Sequence, residues 1–140
     1  MHCNALQILS EFRLSKTPHR IYILELLIGA EHLLSAGEIA NTMKGRKGIN
    51  KVTIYRMLNT FKDAGIVREV ITEQGIRLYE IACRHNPVHP HFYCVKCGKM
   101  DCMNPSIWSE CIKSLKGNPF KVESVSIHVS GVCAQCFSKS

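Results

Sequence analysis

Residues 50–81 read NKVTIYRMLNTFKDAGIVREVITEQGIRLYEI, and this stretch decides the fold of the first half of the chain. Its first part carries apolar residues at the i, i+3, i+4, i+7 spacing of one helix face, namely Ile54, Met57, Leu58 and Phe61. The pattern predicts a helix from about Asn50 to Ala64 that stops at Gly65, because glycine readily closes a helix C-terminus. The apolar stripe is expected to face the core.

The second part of the stretch predicts a β-hairpin. Residues 66–71 and 76–81 are β-rich runs on either side of a turn that contains Gly75. Three further helices are indicated upstream, over residues 4–13, from Thr17-Pro18 to Gly29, and from the capping pair Ser35 and Glu38 to about Met43. Helices followed by a hairpin correspond to the winged-helix plan, a helix-turn-helix variant.

The face of the helix at 50–64 opposite the apolar stripe is basic and aromatic. Between Lys44 and Lys62 there are six basic residues and no acidic one. Such a helix is suited to a DNA major groove, where cations meet phosphates and other side chains reach base edges. The candidate DNA contacts are Lys51, Thr53, Tyr55 and Arg56, with Lys16 and Arg20 at the start of the second helix. The alternative interpretation is a solvated basic face.

Composition favours a nucleic-acid partner and two small domains. The chain has 140 residues and a net charge of +7, and a basic chain is attracted to polyanions. No apolar run approaches the roughly 20 residues of a membrane span, and the N-terminus does not resemble a signal peptide. We therefore expect a cytoplasmic protein without a membrane partner. Seven of the eight cysteines lie at residue 83 or later. This difference between the two halves predicts domains at 1–82 and 83–140.

Two C-x-x-C pairs in the second half predict a structural zinc site. Cys94 and Cys97 form one pair and Cys133 and Cys136 the other, and four thiolates are a standard tetrahedral zinc set. The alternatives are a redox dithiol or unrelated buried cysteines. Between the pairs we expect a helix over residues 106–116 and a strand over 120–130. The apolar strand is expected to pair with a second chain, which would make a homodimer.

A second, mixed-ligand cluster lies at the predicted domain boundary. Thiolate, imidazole and carboxylate together suit zinc or ferrous iron rather than magnesium or calcium. The sequence therefore predicts a second divalent-metal site, although any one histidine here could be an ordinary surface residue. Its candidate ligands are Cys83, His89 and His91, followed by Glu80, Glu69, Cys102 and His32, with His85 also in the cluster.

These motifs resemble the ferric uptake regulator superfamily over nearly the whole chain. The most specific matches are Thr53-Ile54-Tyr55-Arg56 and the run from His89 to Gly98. Others are Thr17-Pro18-His19-Arg20, Ser35-Ala36-Gly37-Glu38-Ile39, Ala64-Gly65-Ile66-Val67, Tyr79-Glu80 and Cys133-Ala134-Gln135-Cys136. The resemblance implies an α+β fold, in which a winged-helix DNA-binding domain precedes a small α/β dimerisation domain with the four-cysteine zinc site. It also implies a homodimeric repressor, in which a regulatory metal at the hinge sets the angle between the DNA-reading heads.

Several positions depart from the family pattern. Leu33 stands where the family often has a ligand histidine, and His32 is one residue away. Three positions of an auxiliary metal site carry Val88, Pro90 and Val125, so the resemblance implies that this site is absent. Cys83 before the His-x-His motif resembles the zinc-sensing branch, whereas Glu80 is equally consistent with the iron branch. Cys102 replaces an acidic residue that can ligate metal in relatives.

The sequence thus predicts a zinc-responsive repressor of double-stranded DNA operators, with iron, manganese or peroxide sensing as the alternatives. Thiolate ligation favours zinc over manganese and, less decisively, over ferrous iron. A zinc hydrolase or deaminase is disfavoured because no H-x-E or H-E-x-x-H motif occurs. We therefore expect neither enzymatic activity nor a small-molecule substrate. A zinc-stabilised adaptor that binds only protein is disfavoured by the basic helix.

Overall fold

The computed structural model describes residues 3–45, 49–82, 88–115, 117–122, 125 and 127–139. The chain divides into two compact units, Met1–Pro87 and Val88–Ser140, whereas the sequence interpretation placed the boundary after residue 82. Within the described ranges, no helix is both long and apolar enough to cross a membrane.

The first unit contains four helices and a three-stranded sheet. Its elements, in chain order, are α1 (Ala5–Glu11), α2 (Pro18–Gly29), β1 (Leu34–Ser35), α3 (Ala36–Thr42), α4 (Lys51–Ala64), β2 (Val67–Ile71) and β3 (Arg77–Ile81). All four predicted helices and both hairpin strands are present. The two-residue strand β1 was missed, because so short a run leaves no periodic signal in a sequence.

Polar caps fix where these helices begin. The Thr17 hydroxyl accepts the Arg20 N–H at 3.4 Å. Ser35 Oγ accepts the Glu38 N–H at 3.1 Å and lies 3.4 Å from Glu38 Oε1, which confirms the predicted capping pair. Asn50 Oδ1 accepts the Thr53 N–H at 2.9 Å and so starts α4. At its other end Gly65 has φ of 82°, a conformation that closes the helix and favours glycine.

The α4 helix packs its apolar stripe into the core of the first unit. Ile54, Leu58 and Phe61 are fully or almost fully buried, and Met57 packs at the edge of the same core. The predicted stripe is therefore confirmed. Burying the stripe leaves the opposite face of α4 in solvent, and that face carries the basic residues.

The wing sheet has the strand order β1-β3-β2, with both pairings antiparallel. In the β2–β3 register, Arg68 lies opposite Glu80 and Glu69 lies opposite Tyr79. Residues directly opposite each other in a ladder share a face of the sheet. Two charged side chains of β2 therefore meet two polar side chains of β3, on opposite faces.

The second unit is built on another three-stranded sheet. Its elements are β4 (His91–Cys94), β5 (Met100–Cys102), a 3₁₀ helix (Pro105–Trp108), α5 (Ser109–Leu115), β6 (His128–Gly131) and α6 (Ala134–Ser138). The strand order is β5-β4-β6, with β5 antiparallel and β6 parallel to β4. His91 on the central strand has Cys102 as its register partner on one side and His128 on the other.

The helix predicted over 106–116 is present as a 3₁₀ turn, Pro105–Trp108, followed directly by the seven-residue α5, and Lys116 lies outside the described residues. The strand prediction for the second unit was wrong in its bounds. The strand predicted over 120–130 is shorter, because β6 begins at His128. The register of β6 on the four-residue β4 starts at His91. Among the described residues, those of 120–127 lie before that register begins, and Phe120 is 58% exposed.

Candidate metal centres and nucleic-acid surface

Four cysteine thiols of the second unit lie together. The Sγ atoms of Cys94, Cys97, Cys133 and Cys136 are all within 4.8 Å of one another, and those of Cys97 and Cys133 are 3.9 Å apart. The parallel pairing explains this proximity, because Cys94 at the end of β4 is the register partner of Gly131 at the end of β6. The chain then turns into α6, with Cys133 at its N-cap and Cys136 within the helix.

Backbone amides and crowding control the protonation of these thiols. The pKa of Cys94 is lowered to about 6, because its Sγ accepts the N–H groups of Cys133 at 3.4 Å and Cys97 at 3.5 Å. The pKa of Cys136 is raised to about 12 by its hydrogen bond with the Cys133 thiol, by burial and by the Cys97 thiol. Four thiolates this close would repel one another, and a bound cation removes that repulsion. The cluster therefore fits the tetrahedral four-thiolate environment of structural zinc.

A second donor group lies across the same sheet. Ligand atoms of His89, His91 and Cys102 are within 4.8 Å of one another. His91 sits on β4 opposite Cys102 on β5, and His89 precedes it by two residues, so the imidazoles fall on one side of an extended segment. Their ring centroids are 4.6 Å apart. Both histidines are buried and Cys102 is exposed. Two imidazoles and a thiol suit a divalent transition metal.

Three predicted metal ligands lie in the first unit, and each has a hydrogen-bond or ion-pair partner within that unit. Glu80 on β3 is buried, and its Oε1 lies 3.1 Å from Arg68 Nε. Glu69 on β2 accepts a hydrogen bond from the Tyr79 hydroxyl at 3.1 Å. His32 lies 3.6 Å from the carboxylate of Glu38.

Two predicted members of the mixed-ligand cluster, Cys83 and His85, fall outside the described residues. The sequence interpretation missed two residues that the structure places beside candidate ligands. Arg68 contacts Glu80, and counting outward from the hairpin turn at Gly75 could have found this pair. His128 stacks on His91 with ring centroids 6.1 Å apart. No sequence pattern indicates that pair, because it depends on a parallel register between strands separated by more than thirty residues.

The solvent face of α4 carries most of the predicted DNA contacts. Lys51, Tyr55 and Arg56 are exposed. Thr53 is half-buried, and its hydroxyl lies 3.1 Å from the capping Asn50 Oδ1. This side chain therefore takes part in capping the start of α4. A cationic, aromatic face on one helix has the composition that major-groove readers use.

The two predicted contacts around the start of α2 differ from each other. Lys16 is exposed. Arg20 lies half-buried, and its guanidinium donates to the Ser15 hydroxyl at 2.6 Å and to the Ser15 carbonyl at 3.2 Å. These bonds fix the direction of the guanidinium, so Arg20 offers a preorganised charge rather than a mobile one.

Comparison with known proteins agrees with this arrangement. The profile of the ferric uptake regulator family matches residues 11–130. The chain belongs to the ferric uptake regulator family. A ferric uptake regulation protein of Neisseria meningitidis is 32% identical over 134 residues, covering 94% of this chain and 92% of its own. The Vibrio cholerae ferric uptake regulator is 29% identical and superposes with a TM-score of 0.73, covering 91% of this chain and 98% of its own.

The fold is also that of a zinc uptake regulator solved with zinc and DNA, which is 21% identical and covers 96% of this chain and 91% of its own, with a TM-score of 0.69. As a member of the ferric uptake regulator family, the chain is a metal-responsive transcription regulator and not an enzyme. The resemblance seen in the sequence is thus confirmed at the level of the family.

Proposed function

We propose that this regulator is a cytoplasmic, homodimeric, zinc-responsive repressor that binds double-stranded DNA operators. The observation that carries the proposal is the donor group of His89, His91 and Cys102 in the second unit. A thiol among imidazoles favours zinc over manganese, because thiolate is a soft ligand. The exposed position of Cys102 leaves it accessible to an incoming ion.

The four-cysteine cluster serves as the structural zinc site in this proposal. Cys94, Cys97, Cys133 and Cys136 would hold the ion, whose charge neutralises the crowded thiolates. The N–H groups of Cys97 and Cys133 already stabilise the Cys94 thiolate. Among the described residues of the second unit, the buried apolar side chains are few, namely Pro90, Tyr93, Cys94 and Met100. A structural metal is a common substitute for a larger core.

Regulation would depend on ligands that both units supply. We propose His89, His91 and Cys102 from the second unit, and Glu80 from the wing strand β3. Cys83, which follows Glu80 and precedes His89 in the sequence, remains a predicted ligand, and Glu69 and His32 are weaker candidates. A ligand set shared by both units would bias the orientation of the DNA-reading head. The size of that bias is limited by the difference in metal affinity between the two orientations.

DNA binding would use the α4 face, with α4 in the major groove. Lys51 and Arg56 would contact phosphates or bases, and Tyr55 a base edge, with Lys16 and Arg20 positioning the start of α2 on the backbone. Dimerisation would use the second unit, where Ile107, Phe120 and Phe137 are 59%, 58% and 73% exposed. Exposed apolar side chains of this size are typical of a surface that a partner covers.

Iron sensing is the main competing function within the family. It is favoured by the naming of the Neisseria relative and by Glu80, since ferrous iron accepts mixed nitrogen, oxygen and sulfur ligands. Manganese and peroxide sensing are further alternatives. A protein-binding adaptor from a different class would show no metal-dependent DNA affinity.

The proposal is tested by titrating operator binding with zinc, ferrous iron and manganese in parallel. We expect zinc to support binding at the lowest free concentration, and His91→Ala to abolish the metal response without loss of the fold. Cys111→Ala is the matched control, because Cys111 is an exposed thiol of α5 outside both donor groups. A response to ferrous iron at lower concentration than to zinc would overturn the zinc assignment.

A further inference from the structure

A charged pair within the wing involves a proposed metal ligand. Arg68 on β2 and Glu80 on β3 are register partners, and Arg68 Nε lies 3.1 Å from Glu80 Oε1. The carboxylate is 7% exposed and the arginine side chain 24% exposed. A contact this short and this sheltered is screened far less than a surface ion pair. Glu80 therefore already has a positively charged partner, the Arg68 guanidinium, before any metal binds.

A second bond holds the guanidinium in place. Arg68 Nη2 donates to the Ile81 carbonyl at 3.3 Å, next to the carboxylate along β3. Arginine is always charged, and its planar group loses little freedom once two donors are engaged. The positive charge at Glu80 is thus fixed by the wing itself.

We propose that Arg68 sets the metal concentration at which the regulator responds. The inference rests on the proposed function, in which Glu80 supplies a metal ligand. An incoming dication has to share or displace the guanidinium at that carboxylate, and two cations a few ångströms apart repel each other strongly in a sheltered site. Arg68 therefore weakens metal binding and raises the response threshold.

The neighbouring pair on the same hairpin supplies a matched control. Arg77 on β3 lies 3.7 Å from Glu69 Oε2, and Arg77 is 56% exposed. The pair joins an arginine to a glutamate diagonally across the same hairpin, since Arg77 is the register partner of Ile71, and it does not involve Glu80. Removing the Arg77 charge therefore tests for a general effect of wing charge on metal binding.

The experiment compares Arg68→Gln, Arg68→Lys and Arg77→Gln in the full-length protein. Zinc affinity is measured by competition with a chelator, and the operator-binding threshold by fluorescence anisotropy against free zinc. We expect Arg68→Gln to bind zinc about tenfold more tightly, because the substitution removes a cation that repels the metal at the Glu80 carboxylate. The zinc affinity of Arg68→Lys should fall between those of Arg68→Gln and the wild type. Lysine keeps the positive charge but lacks the guanidinium that bonds both Glu80 and the Ile81 carbonyl. Arg77→Gln should match the wild type.

A metal-free readout complements the affinities. Denaturation of the metal-free Arg68→Gln, Glu80→Gln and double variants should show that the two single effects are not additive, as expected for a coupled pair. If Arg68→Gln does not fold, the intermediate affinity of Arg68→Lys tests the same inference. Unchanged or weaker zinc binding in the folded Arg68 variants would overturn it.

Failure of the inference is distinguishable from failure of the proposed function. If His91→Ala abolishes the zinc response while the Arg68 variants keep the wild-type threshold, only the role of Arg68 is wrong. If His91→Ala keeps the full response, the proposed regulatory site itself is wrong. In the double variant, Glu80→Gln should remove the effect of Arg68→Gln on zinc affinity, and an effect that persists contradicts the route through Glu80.

Discussion

Tyr79 and Glu69 face each other across the wing hairpin, and the tyrosine hydroxyl donates a 3.1 Å hydrogen bond to the carboxylate. The same carboxylate lies 3.7 Å from Lys62 Nζ on the last turn of α4 and 3.7 Å from an Arg77 nitrogen on β3. Glu69 thus links the end of α4 to both wing strands. This network assigns Glu69 a structural role that the sequence did not indicate.

The first prediction concerns stability at high pH. Burial and the bond to Glu69 raise the pKa of Tyr79 to about 12, above the value of about 10 for an unfolded tyrosine. The protonated hydroxyl therefore stabilises the fold fully below pH 10, and this contribution is lost as the pH rises towards 12. Urea denaturation across that range should show the free energy of unfolding falling. Tyr79→Phe should lose about 1 kcal/mol at pH 7 and show a smaller fall between pH 10 and 12.

The second prediction concerns the structural site. Cys133→Ser should lose the zinc of that site and leave the second unit unfolded or monomeric, because a structural metal carries much of the stability of a small domain. Zinc content and size-exclusion chromatography measure both effects. Cys111→Ser, on an exposed thiol of α5, should retain zinc and oligomeric state. A stable Cys133→Ser dimer with its full zinc content contradicts the assignment.

The third prediction concerns phosphate contacts. If Arg56 contacts phosphate, Arg56→Ala should weaken binding to all sequences and lower the slope of log affinity against log salt by about one unit. Lys51→Ala should behave similarly. Lys113→Ala is the control, since Lys113 is an exposed cation on α5, and its salt slope should equal that of the wild type. If Arg56→Ala and Lys51→Ala both keep the wild-type salt slope, α4 makes no phosphate contacts.

The fourth prediction concerns base reading by Tyr55, which is 42% exposed on α4. A mismatched base pair ordinarily costs about 1–3 kcal/mol, and Tyr55→Ala should reduce that cost at the contacted position. Tyr55→Phe separates the hydroxyl from the ring. Competition between operator and mutated operators gives the measurement. Unchanged operator preference in Tyr55→Ala means that the residue does not read a base.

The fifth prediction compares two candidate regulatory ligands. His91→Ala and Cys83→Ala should each abolish metal-dependent DNA binding while circular dichroism and the dimer remain unchanged. Structural-cysteine variants should instead damage the fold as well as the metal response. If His91→Ala loses the response and Cys83→Ala keeps it, Cys83 is not a ligand. Glu80 then becomes the better candidate for the regulatory ligand, and iron becomes the better assignment for the sensed metal.

Local chemistry made the first unit predictable. The caps at Thr17, Ser35 and Asn50 and the left-handed Gly65 act within a few residues of the positions they define. The apolar stripe of α4 likewise depends on helical periodicity alone. The length of β6 was not predictable in this way, because a strand ends where its partner ends and β4 is only four residues long.

The sequence by itself determined the family, the two C-x-x-C pairs and the candidate ligands, because each depends on residue type and spacing. Only the tertiary structure decided which of those groups meet. Parallel pairing of β4 and β6 brought Cys94 to Cys133, and antiparallel pairing with β5 put Cys102 beside His91. The register of the hairpin paired Glu80 with Arg68 and Glu69 with Tyr79. Contacts between distant residues follow from strand register, and a shift of one residue would send each side chain to the other face of its sheet.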